Sequence, residues 1–140
     1  MIKLLLLLTL LFFNGCEEKA KPRVIIKPEL QLPIKCLKLD KLDIEHDFLD
    51  ELDRLYRFDS SCDLRLSISY KKNIICNSTS NVSLKATGHF PKSFLKLEVR
   101  KGMKSLYSYY IDLYSNVDRD DIDEGFIKLK RDLFQKSIKK

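Results

Sequence analysis

The chain predicts an α+β domain: an antiparallel meander of four or five strands, with a helix before it and a C-terminal helix, in two layers. Three observations predict it. Apolar and polar residues alternate through most of residues 62–114, helical spacing brackets that stretch on both sides, and turn residues punctuate it. A sheet with one apolar and one wet face needs helices on the apolar side.

The first helix is expected over residues 44–58. Phe48, Leu52 and Leu55 recur at helical spacing, flanked by Leu49 and Tyr56. Asp43 is the expected N-cap, and acids crowd the early turns, where the helix dipole favours them. Asp59-Ser60-Ser61 ends the element. The period then becomes two: Cys62, Leu64, Leu66, Ile68 and Tyr70 alternate with Asp63, Arg65, Ser67, Ser69 and Lys71. Lys71-Lys72-Asn73 reads as a turn that would set Ile74 opposite Tyr70. Asn77 to Asn81 is a polar loop, whose two Asn-x-Ser/Thr matches mark a surface, and Val82, Leu84 and Ala86 give a third strand. Gly88-His89-Phe90-Pro91 breaks it.

Leu95, Leu97 and Val99 alternate with Lys96, Glu98 and Arg100, and Lys101-Gly102-Met103 turns the chain. In the next strand Tyr107, Tyr109, Ile111 and Leu113 share one face, and Ser108, Tyr110, Asp112 and Tyr114 share the other. The last helix follows Ser115-Asn116-Val117. Acids from Asp118 to Glu124 load its start, bases load its later half, and Ile122, Phe126, Leu129 and Leu133 form its apolar stripe. Gly125 inside it is expected to cost ~1 kcal/mol against Ala.

The front of the chain has a different character. Met1-Ile2-Lys3 is followed by an apolar run from Leu4 to Phe13 and then Asn14-Gly15-Cys16. That run is shorter than the ~20 apolar residues of a bilayer-spanning helix, and its layout is that of a secretory signal peptide. Phe13-Asn14-Gly15-Cys16 resembles the lipobox of bacterial lipoproteins. The resemblance implies cleavage before Cys16 and acylation of it by palmitate-type chains, one on the new amino group. Multiple chains anchor a protein stably where one is marginal. It also implies a membrane-anchored protein of the cell envelope, facing the periplasm. Glu17, not Asp, follows Cys16, which favours the outer over the inner membrane under the best-known sorting rule.

The expected organisation is therefore a signal peptide over 1–15, a lipidated and flexible tether over 16–33, and one α+β domain over 34–140. Pro22, Pro28 and Pro33 among charges read as extended chain, reaching several tens of Å at ~3 Å per residue. Alternatively, Val24-Ile25-Ile26 or the alternating Ile34 to Leu39 adds an edge strand. Removing the leader takes the net charge from +6 to +5, because Lys3 goes with it. In an exported chain that basic balance points to anionic headgroups, envelope polymers or an acidic protein face, and not to nucleic acid. The charge is segregated, with eight acids in residues 40–59 and six bases in residues 128–140.

With Cys16 assigned to lipid, Cys36, Cys62 and Cys76 remain, so at most one intrachain bridge forms. On the hairpin register above, Cys62 and Cys76 stand ~20 Å apart, well beyond the ~7 Å limit for bonded Cα atoms. Any bridge then joins Cys36 to Cys62 or to Cys76.

The chain offers little for catalysis. His46 pairs with Asp50 one turn on as a surface contact, and His89 sits in a loop. Ser60 or Ser61 with a histidine lacks a nucleophile elbow. No close Cys/His ligand pairs suggest a metal, and four glycines leave no phosphate cradle, so no cofactor is expected. Tyr110 and Tyr114, beside Ser108 and Asp112 on the polar face, are the candidate partner-binding residues, because exposed tyrosines on a sheet make good anchors. The expected function is a non-enzymatic binding or assembly accessory of the envelope with a protein partner. The rivals are an envelope hydrolase using His89 and a secreted inhibitor-like binder.

Overall fold

The structure, a computed structural model, describes residues 20–75 and 90–135. The leader, Cys16, Cys76, the expected strand from Val82 and His89 lie outside the described residues. The elements in chain order are β1 (Arg23–Ile26), β2 (Lys38–Leu39), α1 (His46–Leu55), β3 (Leu64–Lys71), β4 (Ser93–Lys101), β5 (Lys104–Leu113) and α2 (Arg119–Phe134). They form an α+β unit with a five-stranded sheet in the order β1-β5-β4-β3-β2.

The sheet is mixed and not purely antiparallel, because β2 runs parallel to β3. That pair needs a crossover, and α1 supplies it as a helix between the two strands. Two short strands thus precede α1, where the sequence reading put a helix before the whole sheet. The segment expected to be a free tether also contributes: Arg23–Ile26 pairs antiparallel with Tyr107–Tyr110 at the sheet edge. Val24, Ile25 and Ile26 favour extended backbone, and the edge of β5 offers them hydrogen bonds.

Strands β3 and β4 are joined through residues 72–92, not by a tight hairpin. Tyr70 stands opposite Leu95, and the N–H of Ile74 donates to the carbonyl of Lys92 at 2.7 Å. The β4–β5 hairpin turns at Gly102, whose φ of +57° suits a residue without a Cβ. A bulge at Val99/Arg100 shifts the register of that hairpin.

Alternation does what it should. Leu66, Leu95, Leu97, Val99, Tyr107, Tyr109, Ile111 and Leu113 are buried on one face, where they meet the apolar stripe of α2, with Ile122, Phe126, Leu129 and Leu133 all fully buried. Phe48 and Leu52 of α1 complete the layer, Phe48 meeting Tyr70 edge-on at 5.1 Å between ring centroids. Tyr56 and Phe58, just after α1, pack on Phe126 at 6.0 and 5.9 Å.

Helix ends are set by different chemistry. Asp118 caps α2: its carboxylate accepts from the Asp121 N–H at 3.1 Å, and the Asp121 carboxylate accepts from the Asp118 N–H at 3.0 Å, a reciprocal capping box. Helix α1 starts later than the expected Asp43, which takes a positive φ of 58° instead. Glu45 is its N-cap and makes no side-chain cap. Its backbone is fixed from β3, since its N–H donates to the Tyr70 hydroxyl at 3.0 Å.

Cys36 and Cys62 form a disulfide with Cα atoms 5.9 Å apart. It ties the chain before β2 to the chain before β3, next to the fully buried Leu37.

Gly125 has a packing role that outweighs its helix propensity. A Cβ there would lie 3.1 Å from Leu97 Cδ1 and 3.1 Å from Tyr109 Cε1, so its absence lets α2 settle onto β4 and β5. Gly125→Val is expected to lower stability by about 2 kcal/mol through overpacking, measured by urea denaturation at unchanged m-value. The disulfide closes a sequence separation of 26 residues. Cys36→Ser with Cys62→Ser should cost about 3 kcal/mol in the same assay, and reductant should reproduce the loss in the wild type.

Candidate functional site

The face of the sheet opposite the helices is built from the alternate residues of every strand, and the registers arrange them in rows. Lys38, Arg65, Arg100 and Ser105 form one row; Ser67, Glu98, Ser108 and Ile25 the next. Ser69, Lys96, Tyr110 and Arg23 form the third, and Lys71, Phe94 and Asp112 the fourth. No described helix covers this face.

Its aromatic centre is Tyr110. Phe94 stacks on it at 5.7 Å with planes 20° apart, and the Arg23 guanidinium lies 4.8 Å from its ring centroid. The Tyr110 hydroxyl donates to Asp112 at 2.7 Å, and Asp112 also approaches Arg23 at 3.6 Å. Burial, the hydrogen bond to Asp112 and that carboxylate's charge hold the Tyr110 phenol above its ordinary pKa, against the pull of Arg23. It therefore stays a protonated donor at physiological pH. Because Arg23 belongs to β1, this cluster also fastens the edge strand to the sheet.

The basic end is the row Lys38–Arg65–Arg100. Like charges directly opposite each other across strands are destabilising. Partial relief comes from Asp40, 3.8 Å from Arg65, and from Glu98, 3.8 Å from Arg100 and 3.4 Å from Lys96. Burial pushes the Glu98 carboxyl up, but a hydrogen bond from Ser105 together with Lys96 and Arg100 brings it below its ordinary value. The result is a surface of basic side chains around Glu98 and Asp40, with an aromatic column beside it.

Of the residues singled out from sequence, Ser108, Tyr110 and Asp112 share this face. Tyr114 lies one residue beyond the end of β5 and is exposed. The sequence reading missed Arg23, Phe94 and the basic row. Phe94 was legible as the polar-face neighbour of Leu95, but Arg23 is 87 positions from Tyr110 and needs the β1–β5 pairing to be known.

The remaining candidates have ordinary surroundings. His46 approaches Asp50 at 3.8 Å, and both are solvent-exposed. Ser61 donates through N–H and hydroxyl to Asp59, at 2.9 and 2.6 Å, as a local turn. Among the described residues no group of three or more His, Cys, Asp or Glu could hold a metal ion, and no helix is long and apolar enough to cross a membrane. Comparison with protein-family models, curated proteins and solved structures returned no match.

Glu98 makes the face pH-dependent with a defined sign. Its folded pKa lies below the unfolded value, so its contribution is present above the ordinary carboxyl range and is lost as pH falls through the depressed folded value. Stability should therefore decline as pH drops below ~4.3, and Glu98→Gln should shrink that decline in thermal melts taken across the acid range.

Proposed function

We propose that the chain is a membrane-anchored lipoprotein of the cell envelope, acylated on Cys16 and facing the periplasm. On this reading its domain acts as a non-enzymatic binding or assembly accessory, in the outer membrane by the Glu17 criterion. The observation that carries the binding role is the open sheet face, on which Lys38, Arg65, Arg100 and Lys96 stand beside the Phe94–Tyr110–Arg23 stack. Such a face offers a rigid aromatic anchor with charge around it, the composition that interfaces favour. Its excess of bases suits an acidic surface on an envelope protein.

A sheet presents these groups with little conformational cost on binding, because the strands are already fixed by the core beneath. Tyr110 is held between two neighbours before any partner arrives. Arg65 and Arg100 are half-exposed, and their charge steers an acidic partner into place.

The test is photocrosslinking in intact cells from Ser69 and Ser108, two small residues on this face, with Ile75, exposed beyond the end of β3 and outside the rows, as the control. One envelope protein crosslinked from the face positions and not from the control is the expected result. Arg65→Glu with Arg100→Glu should cut that crosslinking about tenfold while leaving the melting temperature within a few degrees. Equal yields from the variant and the wild type would remove this face as the docking site. The mass of the N-terminal peptide tests the anchor separately, since acylation of Cys16 adds the acyl chains to it.

A further inference from the structure

The chain enters the domain beside α2. Ala20, Lys21 and Pro22 run along a groove whose other wall is Ile127, Lys128 and Arg131, with Glu124 at its margin and Tyr109 and Ile111 at its floor. Ile127 breaks the pattern of its helix, being apolar and 45% exposed where its apolar neighbours on the stripe are fully buried. Lys128 and Arg131 flank it on the same side, Lys128 being also paired with Asp132. Lys21 faces them across the groove. An exposed aliphatic residue with long basic side chains on its C-terminal side and Lys21 across from it, Glu124 being the one acid in the lining, suits a helix face that rests in the headgroup layer, where Lys and Arg reach the phosphates.

Chain length selects the occupant. Only four residue steps separate Cys16 from Ala20, which span at most ~14 Å when fully extended. A lipid on Cys16 therefore holds this end of the domain, with the groove on it, close to the membrane surface. The acids of α1 lie on the far side of α2, where Phe48 meets β3 and Asp47 approaches Arg119 at 3.2 Å. The geometry points to a membrane-docking edge: the Lys21, Ile127, Lys128 and Arg131 groove lies against anionic lipid headgroups, with Ile127 inserted at the acyl boundary. This inference rests on the lipoprotein reading of Cys16. It adds that the domain is oriented on the bilayer and does not tumble at the end of a leash. The open sheet face belongs to the other side of the sheet from α2 and stays clear for a partner.

The chain contains no tryptophan, so one introduced Trp reports its own surroundings. Full-length acylated protein carrying Ile127→Trp is reconstituted into vesicles of phosphatidylglycerol and phosphatidylcholine, part of the lipid being brominated. Met103→Trp, in the β4–β5 turn, is the control at an exposed site about 26 Å along β5 from Ile111. Docking predicts a blue-shifted, bromolipid-quenched signal from position 127 and an unquenched one from position 103. Lys21→Glu with Arg131→Glu should lower the docked-to-undocked ratio roughly tenfold while the protein still sediments with the vesicles. Equal exposure of the two Trp positions in acylated, vesicle-bound protein would overturn the docking edge and leave the anchor standing. An unmodified Cys16 in the purified protein would overturn both.

Discussion

Helix α2 approaches β4 and β5 so closely that position 125 has no comfortable room for a methyl group. That contact joins the two layers, and the rest of the domain depends on it. Tyr109 and Leu97, which touch the glycine, are the middle residues of their strands. Their neighbours above and below fill the gaps between Ile122, Phe126, Leu129 and Leu133. Helix α1 then packs beside α2, held by the aromatic group of Tyr56, Phe58 and Phe126 and by Lys130, whose ammonium donates to the Leu55 carbonyl. The capping box at Asp118 starts α2 at the right residue for its stripe to face the sheet.

The same alternation that builds this core dictates the composition of the opposite face. Once Leu66, Leu97 and Tyr109 point inward, Arg65, Lys96, Glu98 and Tyr110 have to point outward. Their relative positions follow from register, which one buried face fixes strongly. The basic row is thus held in place mainly by the core beneath it, and Asp40 and Glu98 relieve part of its mutual repulsion. Tyr110 has its ring engaged by Phe94 and by the Arg23 guanidinium, and its hydroxyl by Asp112.

Local periodicity made β3, β4, β5 and α2 legible, because each carries its own apolar pattern and buries it. The stripe residues of α2 and the inward tyrosines of β5 were readable one by one. What escaped reading was long-range. The alternation from Ile34 to Leu39 offers an edge strand as an alternative, and Lys38–Leu39 forms one, but its parallel pairing with β3 depends on the path of α1. Arg23–Ile26 reads equally as tether or strand until the free edge of β5 is known. Tyr70 pairs with Leu95 and not with Ile74, because local turn residues at Lys72-Asn73 say nothing of a distant strand. Gly125 looked like a weakness by helix propensity alone, since propensity contains no term for what stands opposite. The candidate site was half legible for the same reason: Ser108, Tyr110 and Asp112 lie on one strand, whereas Arg23 and Arg65 reach the face only through pairing.

The cross-link between Cys36 and Cys62 also has a mechanical side. Tension entering the chain at Ala20 meets β1 first, where the Arg23–Tyr110–Asp112 cluster fastens the strand at its leading residue. Should β1 peel away, Leu30 and Ile34 hold next, buried in the core with the Ile34 N–H on the Leu133 carbonyl, and behind them the Cys36–Cys62 bridge passes the force two residues before β3, an interior strand of the sheet. The chain from Leu37 to Ser61, with all of α1, lies inside the closed loop and is bypassed by the bridge.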